Sequence, residues 1–110
     1  MPAELLFGGE TELLNYAAGL EPAAVAERAY KAVERRVPHL PCREYKAGLF
    51  LPNGSRVYID AGTHLEISSA EASTPSALVA VQKATERLVL QAIQADRGPA
   101  GSACAITLGR

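Results

Sequence analysis

The 110-residue sequence holds no apolar run near the ~18–20 residues that a membrane span requires. Its start, Met1-Pro2-Ala3-Glu4, has neither a basic n-region nor a long apolar h-region, so no secretory signal is visible and a cytoplasmic setting is expected. Cysteine is scarce. Cys42 and Cys104 stand apart, without a CxxC pair or a metal-ligand spacing, and read as reduced, buried thiols rather than a disulfide. Internal repeats and low-complexity tracts are missing. Apolar residues at 48%, charged residues at 21% and only 16 glycines and prolines exclude disorder, collagen and coiled coil. A formal charge of −1 gives no sign of a nucleic-acid partner or an anionic membrane. A chain of this size buries roughly 65% of its unfolded surface, which makes one small domain or a piece of a larger one.

Base is missing from two stretches. Residues 1–27 hold five acids and no Lys or Arg, and residues 57–82 hold three acids and no Lys or Arg. Between them, residues 28–56 carry seven bases and two acids. Carboxylates gathered without basic partners either repel one another or hold cations, so the two acidic stretches are the place to look for chemistry.

Leu5-Leu6-Phe7, then Gly8-Gly9, predicts a strand running on through Leu13, with a loop around 15–20. Pro22 suits the first position of a helix, and Ala23, Val25, Ala26, Ala29, Tyr30 and Val33 recur at helical spacing to about Val37, before Pro38 and Pro41. Arg28, Lys31, Arg35 and Arg36 fall on its outer side as a solvated face. Gly48–Leu51 and Val57–Ile59 flank Asn53-Gly54, the strongest short hairpin cue. Ser73-Thr74-Pro75 caps a long helix to about Asp96, and Ala103–Leu108 is a last strand. The chain stops two residues later, which reads equally as an interrupted domain or as one that ends on an edge strand. The expected fold class is α+β: a largely antiparallel sheet in the order β-α-β-β-α-β, with helices packed on one face.

Side chains alternate along a strand. From 57 to 67 the odd positions (Val57, Ile59, Ala61, Thr63, Leu65, Ile67) are mostly apolar, whereas the even ones include Tyr58, Asp60, His64 and Glu66. By the same parity Glu10 and Glu12 share a face. Such a face is either simply solvated or a cluster of oxygen ligands for Mg²⁺ or Mn²⁺, which commonly bridge to nucleotide phosphates. His64 reads as a hydrogen-bonded structural histidine, His39 as exposed, and Glu71 as a loop acid ahead of the long helix.

Phe7-Gly8-Gly9-Glu10-Thr11-Glu12 resembles the F-G-x-E-T-E opening of the Pup ligase and depupylase family, carboxylate–amine ligases of glutamine synthetase type. Residues 53–60 resemble the family's N-G-A-R-x-Y-x-D, and residues 61–71 its x-G-x-H-P-E-Y-x-T-x-E, with Leu65 and Ile67 in place of the proline and tyrosine. The resemblance implies that residues 1–110 are the N-terminal part of a glutamine-synthetase-like catalytic domain. It implies Glu10 and Glu66 as metal ligands, Tyr58 beside them in the metal–nucleotide site with Glu12 as a further candidate, and Asp60 as the catalytic aspartate. The cofactors implied are Mg²⁺ and ATP. The chemistry implied is phosphorylation of a glutamate γ-carboxylate followed by attack of a lysine amine to form an isopeptide. The partners implied are a small protein modifier or peptide substrate and a second polypeptide carrying the remainder of the domain. Only 50 positions separate Glu10 from Asp60, which leaves no room for a depupylase's long inserted loop and favours the ligase branch. A hydrolase of depupylase or amidase type on the same scaffold, with Asp60 as nucleophile, is one alternative. A non-catalytic α+β binding or regulatory module is another.

Overall fold

A computed structural model describes residues 5–42, 48–61, 63–96 and 107–109, with the backbone alone at 14, 15, 41, 42 and 107–109. Its elements are β1 (Glu10–Tyr16), α1 (Pro22–Arg36), β2 (Leu40–Cys42), β3 (Gly48–Phe50), β4 (Arg56–Ile59), β5 (Leu65–Ser68), α2 (Pro75–Ala95) and β6 (Thr107–Gly109). The six strands form one sheet in the order β2-β3-β4-β5-β1-β6, and every pair is antiparallel. This is the α+β class expected, with two strands more than the sequence pattern predicted. One is β2. The other arises because residues 57–67 are a hairpin rather than one extended run.

The helices form where the local chemistry allows. Pro22 opens α1, and Val37 ends it in extended geometry (φ −112°, ψ 127°) because Pro38 disfavours a helical residue before it. Thr74 caps α2 by accepting a hydrogen bond from the Ala77 N–H at 3.1 Å. The β3–β4 turn uses Gly54 at φ +83°, where a Cβ would also come within 3.0 Å of Ala70. The Asn53 side chain accepts from the Ser55 N–H at 3.0 Å and so closes the same turn.

Odd-numbered strand residues build the core. Leu13, Leu49, Val57, Leu65 and Ile67 are buried against Ala29, Ala32 and Val33 of α1 and Val89, Ala92 and Ile93 of α2. Both helices therefore cover one face and leave the even-numbered residues on the other. The start of the chain differs from expectation. Phe7 makes only an isolated bridge to Ala72, and β1 begins after the glycines, where Ser69 joins the break by exchanging hydrogen bonds with Gly9. β1 also runs on to Tyr16, through part of the predicted loop. The side chain of Cys42, and Cys104 altogether, lie outside the described residues.

Candidate functional site

The polar face is assembled by register. β1 pairs with β5 so that Glu10 stands opposite Ser68 and Glu12 opposite Glu66, and β4 pairs with β5 so that Tyr58 stands opposite Glu66. Each register sums to an even number, so even residues of all three strands share a face. The parity argument holds for that reason, although a tight turn at 60–64 interrupts the strand it assumed. All five expected site residues meet here: Glu10 and Glu12 on β1, Tyr58 on β4, Asp60 in the turn and Glu66 on β5.

Two clusters result. In the first, Glu66 lies within hydrogen-bonding reach of Tyr58 and Glu10, and the Ser68 hydroxyl donates to the Tyr58 oxygen at 3.2 Å. Burial holds the Glu66 carboxyl above the ordinary carboxylate range; the charges of Glu10 and Asp60 push the same way, and the Tyr58 hydrogen bond opposes them. Burial likewise raises the Tyr58 phenol, helped by Glu66 and Glu10 and opposed by Ser68. Oxygen donors gathered in this way are the kind that hard divalent cations take as ligands.

In the second cluster, Glu12, Asp60 and His64 bring one ligand atom each within 4.8 Å of one another. The His64 Nδ1–H donates to the Glu12 carboxylate. The turn orients Asp60: its carboxylate accepts from the His64 N–H at 3.0 Å, and its own N–H donates to the His64 carbonyl at 3.0 Å. Thr63 adopts φ +65° to close this loop. The strained region belongs to glycine or asparagine rather than a β-branched residue, so the turn holds its shape at a conformational cost of about 1–3 kcal/mol.

Three further features complete the face and its surroundings. Arg56 opens β4 on the polar face, and its guanidinium lies 4.2 Å from the Tyr58 ring centroid; its even number was the available signal. Lys83 of α2 lines a groove of about 380 Å³ beside Glu10 and Glu12, its ammonium 3.6 Å from Glu86, so helical packing puts a base next to a base-free stretch. His39, expected to be exposed, is half-buried and hydrogen-bonds the Val37 carbonyl at 2.8 Å. No described helix is long and apolar enough to cross a membrane.

A sheet with both helices on one side and converging carboxylates, a phenol and an imidazole on the other defines an α+β module with an acidic, oxygen-rich face. A family model described as Pup-ligase protein matches residues 10–108, and the chain belongs to that family. The Pup–protein ligase of Kocuria rhizophila is 38% identical over 85 residues, covering 76% of this chain and 18% of that protein. The Pup–protein ligase of Corynebacterium glutamicum is 31% identical over 84 residues, covering 72% of this chain and 16% of that protein. The ligase PafA, solved in complex with the prokaryotic ubiquitin-like protein Pup, shares the fold: the TM-score is 0.71 at 22% identity, over 94% of this chain and 21% of that one. The chain thus spans under one fifth of the length of these two curated relatives.

Proposed function

We propose that this chain is part of an ATP- and Mg²⁺-dependent carboxylate–amine ligase that joins a glutamate γ-carboxylate of a small protein modifier to a lysine amine in the cytoplasm. The remainder of the catalytic domain comes from a further segment or a second polypeptide. The reading is supported above all by the register that gathers Glu10, Tyr58 and Glu66 on one face, with Glu66 held above the ordinary carboxylate range by burial and by Glu10 and Asp60.

This donor set fits Mg²⁺, a hard cation that takes oxygen ligands and keeps substrate phosphates among them. Glu10 and Glu66 would hold it, with the Tyr58 oxygen beside them. Bound Mg·ATP supplies the phosphate that activates the carboxylate and the charge neutralisation that makes it a leaving group. The chain's own residues do the rest. Arg56 presents a fixed cation to phosphate oxygens. Asp60, oriented by the His64 N–H, accepts a proton from the attacking lysine, whose ammonium with its usual pKa near ~10.4 is not nucleophilic at neutral pH. His64 and Glu12 brace the turn that carries Asp60.

The test is an isopeptide-formation assay on the complete protein carrying this segment, with ATP, Mg²⁺, modifier and lysine acceptor. Ligation should consume ATP stoichiometrically, and Asp60→Asn should slow it by about 10²–10⁴-fold, the usual worth of a general base. Isopeptide cleavage without ATP turnover would replace the ligase reading with the hydrolase one.

A further inference from the structure

Asn53-Gly54 is the sequence's one Asn-Gly pair, and it does more than turn the chain. In this dipeptide an asparagine side chain reacts most readily with its own backbone, because glycine has no Cβ to keep the next nitrogen away. The Gly54 nitrogen attacks Cγ of Asn53 and closes a five-membered succinimide. The Cγ–Nδ2 bond breaks, and Nδ2 leaves as ammonia with the proton that the Gly54 nitrogen gave up. Water then opens the ring at either carbonyl. The product is an aspartate at position 53, or an isoaspartate whose backbone runs through Cγ.

The turn both primes and restrains this reaction. Asn53 and Gly54 are exposed, so water reaches them. The Ser55 N–H donates to Asn53 Oδ1 at 3.0 Å, which polarises the carboxamide carbonyl as an oxyanion donor does. Two bonds oppose it. The Gly54 N–H donates to the Leu51 carbonyl at 2.9 Å, so the attacking nitrogen is engaged. Asn53 Nδ2, the leaving nitrogen, donates to Thr85 Oγ1 at 2.9 Å. Thr85 is fully buried on α2, and its single proton goes to the Val81 carbonyl at 2.7 Å, which can only accept. Its oxygen is thereby left to the Asn53 amide. A reactive, exposed side chain is held from beneath by a helix 32 residues further along the chain.

We propose that Asn53 is a deamidation site that docked α2 keeps shut, and that its hydrolysis undocks α2 from the β3–β4 hairpin. Either product breaks the contact. A carboxylate at position 53 has no proton for Thr85 Oγ1, and is met only by drawing the Thr85 proton away from Val81. An isoaspartate adds one backbone atom to the turn that fixes the pairing of Gly48 with Tyr58 and of Phe50 with Arg56. The lost amide is not replaced, so the change accumulates with age. It spreads from the turn to the strand that carries Arg56 and Tyr58.

The experiment ages the 110-residue chain at neutral pH, folded and in urea, and maps deamidation by peptide mass spectrometry. The unfolded chain should react at residue 53, and the folded chain about tenfold or more slowly, since two hydrogen bonds must break first. Folded Thr85→Val should deamidate about two- to tenfold faster than the unmutated chain, the worth of one hydrogen bond. Thr85→Ser restores the acceptor and should stay near the unmutated rate. Val33→Ala removes buried apolar volume from α1 without touching the hydroxyl, so it should not accelerate the reaction as Thr85→Val does. In the aged fraction, separated by its added negative charge, amide hydrogen exchange across Val81–Val89 should be faster than in the intact chain. A folded chain that deamidates as fast as the unfolded one overturns the guard. So does Thr85→Val no faster than Thr85→Ser, or an equal acceleration by Val33→Ala. Unchanged exchange in the aged fraction overturns the undocking. Should Thr85→Val not fold, the ratio of folded to unfolded rates in the unmutated chain decides by itself.

Discussion

Glu66 is where the polar face is least comfortable. Its carboxyl faces Tyr58, Glu10 and Asp60, and burial raises its pKa from the ordinary glutamate range. The folded state therefore holds this proton more tightly than the unfolded chain does. Stability from this group is fully present below the ordinary glutamate pKa of about 4.3 and is lost as pH rises through the raised folded value. Glu66→Gln should consequently raise the thermal midpoint of the metal-free chain at pH 7, with the advantage vanishing below about pH 4. A midpoint unchanged at pH 7 would contradict the burial argument. Mg²⁺ or Mn²⁺ at ten times its dissociation constant should stabilise the unmutated chain by about 1.4 kcal/mol and the Gln variant by much less. That Glu66 belongs on a face with Tyr58 was legible from parity alone. That it is pressed against Glu10 was not, because Glu10 reaches it only through pairing across 56 positions of sequence.

At the scale of elements, the β3–β4 hairpin and α2 depend on one buried hydroxyl. Thr85 hydrogen-bonds the Val81 carbonyl at 2.7 Å and Ser55 Oγ at 3.1 Å, and accepts from the Asn53 side chain at 2.9 Å. Thr85 and Ser55 are both fully buried. Thr85→Val keeps the shape but strands the Ser55 hydroxyl, and should cost about 1–3 kcal/mol. Urea unfolding should show this as a lower midpoint with an unchanged slope. Asn53-Gly54 announced this hairpin, since turn chemistry is local. The turn at 60–64 was missed, because apolar residues at 57, 59, 65 and 67 keep one parity through it and hide the reversal. The partner of the Asn53 amide lies on a helix 32 residues away, which no turn rule reveals.

Across the whole molecule, the two helices are joined where both end. Arg35 and Arg36, in the last turn of α1, close on Asp96 at the C-cap of α2, with Arg35 Nη2 2.5 Å from Oδ2 and Arg36 Nε 3.3 Å from Oδ1. The arginines suit the dipole of α1 and offset an anion placed against the dipole of α2. They face solvent as expected, and the packing of α1 on α2 also gives them a partner. The hydrogen bond from Arg35, followed by that from Arg36, holds the Asp96 carboxyl below its ordinary range. A lowered carboxylate contributes stability above the unfolded aspartate pKa of about 3.9 and loses it as pH falls through the folded value. Asp96→Asn should lower the thermal midpoint at pH 7 by no more than a few degrees, since exposed pairs are weak, and the difference should close as the solution is acidified below about pH 3.9.

Taken alone, the sequence determined what is local: which residues carry charge, where proline and Asn-Gly break or turn the chain, and which parity of each strand is apolar. Those features identified the family motifs and placed Tyr58, Asp60 and Glu66 on the polar side. Tertiary structure decided what depends on register and packing. It set Glu10 and Glu12 against Ser68 and Glu66, and laid Arg56 over Tyr58 beside Gly48. A slip of one residue in any of these ladders would send the same side chains to the opposite face. What forbids the slip is the apolar set of odd residues, which has nowhere to be buried except beneath the two helices.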